Sequence, residues 1–396
     1  MPGDTINHMY RHQKETLAKR PMKVLHFLNA LPGAGCGIVN AAIDIISGQA
    51  RQGLEVAVCS GGGEVAELLH RHSIPHFNLL QTRTPQALVK SVAGFHNIVH
   101  QFEPDIVHCH MVANVLIARL VRVFHSYKIV AHLHNVHQRS SDLMRLADRV
   151  IAVSDAVGVD MEKRGIPRKR LRVVLNGTLN SFRNEAAFQA PPQRLSHPAI
   201  VTVAGLNHRK GISELITAFE RVAAIVPQAH LYLVGNGPDR ETFKSQASAS
   251  PFKSNIHFEG FQPNPVSYMR AADVFVLASR RDSFGLVLSE ARECGCAIVA
   301  TNVDGIPEAL DDGRAGVLVP PMDVAALSTA ILGVLTNSQE QRRLAEAARQ
   351  QLDRFTVDRV ARDLSIVYSE LVTCSIVQAF APSSATVPEA QSRLSS

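Results

Sequence analysis

Apolar residues recur along this chain in two alternating rhythms. Short runs rich in β-branched residues alternate with longer stretches whose apolar positions return at helical spacing, and polar, glycine-bearing loops separate them. The short runs predict strands at Met22–Leu28, Glu55–Cys59, Asp105–Cys109, Lys128–His134, Arg149–Ser154 and Leu171–Leu175. Helices are predicted between them at Ile38–Gln52, 112–125 and Asp155–Arg164. Phe182–Pro198, which holds Pro191, Pro192 and Pro198, interrupts the rhythm and reads as a linker. The rhythm then resumes, with strands at Ala199–Ala204, Ala229–Val234, Ile256–Phe261, Val274–Leu277 and Ala297–Ala300. The accompanying helices fall at 212–226, Phe284–Cys294, 323–335, 338–353 and 356–373. Strand runs without polar alternation suit sheets covered on both faces, so the pattern predicts an α/β protein with parallel sheets. It divides into a mobile arm (1–20), a Rossmann-like unit (21–180), a linker (181–198), a second Rossmann-like unit (199–353) and a Ser/Pro/Ala-rich tail (376–396) expected to be disordered.

The second unit is organised around Ala271–Thr301. There a buried strand runs through the polar loop Ser279–Ser283 into a helix that Gly295 ends. Such a helix start presents unpaired N–H groups and a positive dipole end, which suits an anion. Gly285 lets a ligand approach the backbone closely. Asp282 and Glu290 flank the helix start. Carboxylates beside a phosphate site are better placed to accept hydrogen bonds from hydroxyls, as on a ribose or a hexose.

Other chemistry gathers where strands end, the edge at which open α/β sheets collect ligands. Gly33, Gly35 and Gly37 follow the first strand without the G-x-G-x-x-G spacing, which disfavours a dinucleotide site. His108 and His110 end one strand, and His132, His134 and His137 end the next. Zinc is one use for such clusters, but no H-E-x-x-H or Cys/His framework accompanies them. His108 is expected to pack in the core on the other side of its strand from His110. Arg209 and Lys210 form a basic pair after the strand that opens the second unit, and Gly235 and Gly237 follow the next one. Two cations there suit a diphosphate leaving group; a solvated basic turn is the plainer use.

Charge and composition narrow the partners. Net charge is +6, concentrated in residues 1–180, where 21 Lys+Arg face 13 Asp+Glu; the remainder has 20 against 22. The first half is therefore expected to meet something anionic. With no Trp and 5% aromatics, stacking platforms for single-stranded nucleic acid are scarce. The six cysteines form no C-x-x-C pair and are expected to be reduced thiols of a cytoplasmic protein. The first 21 residues lack an apolar core and do not read as a secretory signal.

Several motifs together resemble one family. Asp282-(x7)-Glu290, with Phe284-Gly285 between, resembles the E-x7-E signature of retaining glycosyltransferases of family 4, the glycosyl transferases group 1. Asp282 departs from it by one methylene, since the family has Glu there. AGLNHRKG resembles the family's G-R-(x)n-K-G loop, LVGNGPDRE its V-G-x-G-P turn, and VVLNG its V-x-x-N-G. PDIVHCH resembles its PD-(I/V)-(V/L)-H-x-H, and DGIPE its G-G-x-x-E with Asp304 for the first Gly. In that last segment Glu308 reads as a cap or structural acid.

The resemblance implies an α/β chain of GT-B fold, two Rossmann-like domains facing each other across a cleft, with the last helix crossing back onto the first. It implies transfer of a hexose, with retention, from a UDP- or GDP-sugar to a hydroxyl of a lipid-linked or polysaccharide precursor. Carried over residue by residue, His110 contacts the donor sugar near its anomeric carbon, and Asp282, Ser283 and the Phe284-Gly285 backbone hold that sugar. The Leu286 and Val287 amides meet the diphosphate, Glu290 the ribose, Gly235 and Gly237 the donor, and Gly35 and Gly37 form the acceptor loop. Arg209 and Lys210 take a metal's place, since the chain has no Asp-x-Asp motif, so neither metal nor cofactor is expected. An anionic surface on the inner face of the plasma membrane is a further expected partner; nucleic acid is not. The alternatives are a nucleotide-sugar epimerase or phosphorylase on the same fold, and a non-catalytic sugar- or nucleic-acid-binding protein.

Overall fold

The structure, a computed structural model, describes residues 20–379 apart from Ala34, 82–84, 136–138 and Ala186. Two parallel sheets form, one from each half of the chain. The first has β1 (Lys23–Phe27), β2 (Glu55–Ser60), β3 (His76–Asn78), β4 (Ile106–Cys109), β5 (Lys128–Leu133), β6 (Arg149–Ala152) and β7 (Leu171–Val173). Their order in space is β3-β2-β1-β4-β5-β6-β7. The second has β8 (Ala199–Val203), β9 (His230–Val234), β10 (Ile256–Gly260), β11 (Val274–Leu277), β12 (Ile298–Thr301) and β13 (Val317–Val319), ordered β10-β9-β8-β11-β12-β13. Both orders reverse beside the opening strand, which leaves a crevice at the carboxyl ends of the strands.

Continuous apolar runs became buried central strands because helices cover both faces. Every residue of β4, β11 and β12 is buried. The strands β3 and β13 were not expected; three residues each is too short for a period to show. Also unexpected are the helices Ala66–Arg71, Pro85–Phe102, Arg240–Ser248 and Val266–Arg270. The helix expected at 112–125 stops at Val121 and tightens into a 3-10 turn, Arg122–Phe124. The one expected at 338–353 ends at Ala348, and Gln351, at φ 54°, turns the chain into a short 3-10 segment.

The last helix, Val357–Ala379, packs on the first sheet. Val360, Leu364, Val367 and Tyr368 bury against Val24, Ile45, Ile106, Val130 and Ile151. It outlasts its expected end, so residues 376–379 of the expected tail are helical; 380–396 lie outside the described residues. So do 1–19 of the expected arm, whereas Arg20 pairs with Asp105 at 2.6 Å. The two chain crossings between domains lie side by side: the Leu179 amide donates to Phe355 O and the Val357 amide to Leu179 O, both at 2.9 Å.

Candidate active site

The helix Leu286–Cys294 is seated before any ligand arrives. Arg292, fully buried, donates to the carbonyls of Ala309, Ala348 and Gln350 and to Asp311 at 2.6–2.9 Å. These bonds satisfy a charge that burial would otherwise penalise. At the other end Gly285, at φ 73°, forms the N-cap, and no side chain caps the helix. Its first-turn N–H groups and positive dipole end are thereby left for an anion.

Asp282 folds back under this turn. One carboxylate oxygen accepts from the Gly285 amide at 3.0 Å. The other accepts from Lys210 Nζ at 2.5 Å and Ser279 Oγ at 3.3 Å. Burial alone would raise its pKa. The charge and hydrogen bond of Lys210, the charge of Arg209 and the Gly285 amide outweigh burial and hold it below its ordinary value, so Asp282 is ionised at neutral pH. Arg209 is laced to the same loop: its Nη1 donates to Arg281 O at 3.0 Å, and the Arg280 amide donates to Arg209 O at 2.8 Å. Only glycine allows that approach at Gly211, φ 65°, where a Cβ would lie 1.9 Å from the Ala278 carbonyl oxygen. Gly235 and Gly237 seat their turn equally tightly, against Ala204 O and Leu206 O.

Glu290 is buried one helix side away. Its Oε1 accepts from Arg183 Nη2 at 3.0 Å, and Arg183 also forks onto Asp44 with two bonds of 3.1 Å. Neither Arg183 nor Asp44 was picked out from the sequence. The available signal was Asp44 itself, a carboxylate between Ile43 and Ile45 on a helix that buries all three. Beside Glu290, burial and the Glu290 charge push Glu293 up to about 7.

The first domain closes over this helix. A Cβ on Gly35 would lie 3.9 Å from the Phe261 ring, and one on Gly37 4.0 Å from Leu286 Cδ1, so the glycine loop faces the second domain's site. Nearby, Ser154 Oγ donates to Ser283 O at 2.8 Å. Glu308 accepts from the Asp155 and Ala156 amides at 2.8 and 2.9 Å, capping across the domain boundary the helix Asp155–Lys163. The Ser283 hydroxyl is buried without a partner.

His110 sits at the carboxyl end of β4, and its neighbourhood corrects one expectation. His108 and His110 lie on the same side, as residues two apart on a strand must, with rings stacked at 4.8 Å. His26, His132 and His134 join them in one stack. His108 is fully buried. Both His110 nitrogens are engaged, Nε2 with His26 at 2.9 Å and Nδ1 with His134 at 2.8 Å, while His134 Nδ1 has no partner. From His26 the chain continues to Gln49 Oε1 at 2.8 Å, and Gln49 Nε2 donates to Tyr368 Oη at 2.9 Å. Tyr368 Oη also bonds His108, which bonds His132. Burial, foremost, holds all five imidazoles below their ordinary value, His26 at about 4 and His134 at about 3. The stack is a neutral hydrogen-bonded chain, and among the described residues no group of His, Cys, Asp and Glu is arranged to hold a metal. His137 lies outside the described residues.

The model of glycosyl transferases group 1 matches residues 184–351, and that of glycosyltransferase family 4 matches residues 36–178. A phosphatidyl-myo-inositol mannosyltransferase of Mycobacterium tuberculosis is 30% identical over 292 residues, 69% of this chain and 74% of the relative. The chain belongs to the group 1 glycosyl transferases. A glycogen synthase of the same organism is 29% identical over 290 residues, 67% of this chain and 69% of that one. Among solved structures, Anabaena HepE in complex with UDP-glucose superposes with a TM-score of 0.74 at 22% identity, covering 88% of this chain and 100% of HepE. A glycosyltransferase from Rickettsia africae superposes at 0.75 with 19% identity, covering 89% and 99%. The fold of this glycosyltransferase is GT-B, and its two family matches adjoin at 178–184.

Proposed function

We propose that this glycosyltransferase moves a hexose, with retention, from a UDP- or GDP-sugar to a hydroxyl of a lipid-linked or polysaccharide precursor, without a metal. The observation that carries the reading is the uncapped start of helix Leu286–Cys294 beside an ionised Asp282 and the cations Arg209 and Lys210. In this reading the Leu286 and Val287 amides bind the diphosphate. Lys210, and Arg209 once turned from Arg281 O, offset the charge that grows on it as the sugar–oxygen bond breaks. Asp282 and the free Ser283 hydroxyl take sugar hydroxyls, and Glu290 takes the ribose. The acceptor hydroxyl attacks from the face the diphosphate leaves, and a departing phosphate oxygen takes its proton. His110 lines the first-domain side of the sugar, its ring fixed by His26 and His134. Relatives named for glycogen synthesis and for transfer to phosphatidyl-inositol support a hydroxyl acceptor of either kind.

A lipid-linked acceptor is favoured by the outer face of the first domain. Leu120, Val123 and Phe124 are 55–81% exposed beside the exposed Arg119. Segments 85–102 and 112–124 carry no Asp or Glu, a composition suited to an anionic bilayer. No helix among the described residues is long and apolar enough to cross a membrane.

The test is incubation with a panel of UDP-, GDP- and ADP-sugars and candidate acceptors, with and without EDTA, following released nucleotide and the anomeric configuration of the product. Acceptor-dependent release that survives EDTA and gives a retained anomer is expected. Loss of all transfer in EDTA, restored by Mg²⁺ or Mn²⁺, refutes the metal-free reading; an inverted product refutes retention.

A further inference from the structure

We propose that Arg183 and Asp44 form a positioning pair through which the first domain sets the donor affinity of the second. The proposal rests on Glu290 as the acid that takes the nucleotide's ribose. Glu290 belongs to the second domain, but the group that fixes its carboxylate does not. Arg183 leaves the first sheet on a segment pinned to the helix Gly37–Arg51. The Phe182 amide donates to Ser47 Oγ at 3.0 Å, Arg51 donates to Asn180 O at 2.5 Å, and Asp44 on that helix takes the Arg183 fork. Leu179 is bonded on both sides to the returning chain at Phe355 and Val357. Arg183 is therefore held rigidly by the first domain, and one of its nitrogens, Nη2, spans the boundary to Glu290.

The charges explain why three groups are needed. Asp44 is fully buried in a helix side, and burial raises its pKa; the charge and hydrogen bonds of Arg183 offset part of that rise. Asp44 and Glu290 in turn offset the burial of the guanidinium and keep it charged. A lone Arg183–Glu290 pair would commit the Glu290 charge to the salt bridge. With Asp44 taking two of the bonds, Arg183 restrains only Glu290 Oε1 and leaves Oε2 to accept a hydroxyl. A carboxylate with one oxygen fixed is preorganised for a ribose, because its rotamer is chosen before the ligand arrives. The helix that carries Asp44 begins at Gly37, against Leu286, so the same rigid element touches the diphosphate end of the site and steers the ribose end. Donor affinity is then a property of the closed arrangement of the two domains.

The test titrates UDP and GDP into the full chain by calorimetry and measures steady-state transfer. The variants are Arg183→Met, Arg183→Lys, Glu290→Gln and the double variant Arg183→Met/Glu290→Gln. Arg183→Met is expected to weaken the nucleotide that binds, and to raise donor KM, by about tenfold, while kcat and acceptor KM stay within threefold. Arg183→Lys, which keeps the charge and loses the fork, falls between and guards against a folding defect in Arg183→Met. The double variant is expected to bind no more weakly than Glu290→Gln alone, since Arg183 acts through Glu290. If Arg183→Met and Arg183→Lys bind nucleotide within twofold of the parent while Glu290→Gln does not, Arg183 is structural and the proposal is overturned. If Glu290→Gln itself binds normally, the ribose assignment fails, and the proposal with it. Additive losses in the double variant overturn it as well.

Discussion

The histidine stack makes a quantitative demand on stability. Five imidazoles, His26, His108, His110, His132 and His134, are neutral in the folded chain because burial penalises their charged form. None has a carboxylate among its hydrogen-bond partners; those are other rings, Gln49 and Tyr368. In the unfolded chain each titrates near 6.5. Below that pH the unfolded state binds more protons than the folded state, so stability rises with pH there and falls as the solution is acidified. The contribution is intact above 6.5 and is lost progressively down to the folded value, which for His26 is about 4. One pH unit below 6.5, each neutral ring costs about 1.4 kcal/mol, and five cost about 5–7 kcal/mol. That is comparable with the whole stability of an ordinary domain, about 5–15 kcal/mol.

Thermal unfolding followed by circular dichroism at pH 7.5, 6.5 and 5.5 reads this directly. The expected fall in Tm between pH 7.5 and 5.5 is about 10–25 °C for a domain of this size. His132→Phe removes one titrating ring from the chain's end, where Nε2 has no partner, and its Tm is expected to fall less steeply with acid. A Tm that changes by no more than a few degrees over this range would refute the argument, because it would mean that the rings accept protons in place.

Other expectations concern the cleft and its supports. His110→Ala should lower kcat and leave nucleotide affinity unchanged, since its contact belongs to the closed transition state; equal loss of nucleotide binding in His110→Ala and Glu290→Ala contradicts that division. Arg292→Met should destabilise the chain by about 3–5 kcal/mol in urea unfolding, because Asp311 and three carbonyls lose a buried donor. Gly211→Ala should abolish nucleotide binding in calorimetry, since a Cβ there displaces the loop that holds Arg209 and Lys210 against Asp282. Flotation with anionic liposomes should carry the protein up at low salt and less at high salt, and Phe124→Ser should weaken it; no flotation at low salt removes the membrane reading.

How much of this was legible in the sequence depended on whether the cause was local. Strands β1, β4, β8 and β11 and the helix Leu286–Cys294 could be read within about two residues, because a buried strand or a one-sided helix writes its environment into consecutive residues. The Asp282–Gly285 loop could be read for the same reason: its acid, its left-handed glycine and its helix start lie within a few positions. The opposite case is Arg183. Its meaning lies in Asp44 and Glu290, 139 and 107 positions away, and no periodicity joins a linker arginine to acids on two different helices.

The histidines fall between these cases. That His108 and His110 share a face follows from the strand period alone, and placing them on opposite sides was a misapplication of it, not a lack of information. That His26 and Gln49 complete the chain could not be read, because it needs the parallel register that sets His26 beside His108. His26 still left a mark, as a polar residue in the middle of the apolar run of β1. A buried polar residue must find a hydrogen-bond partner. The ends of the neighbouring strands supply one, which ties the chemistry of His110 to the core beneath it: Gln49 and Tyr368 fix His26 and His108 from below, and changes at either should reach the cleft through imidazole orientation before they reach it through the fold.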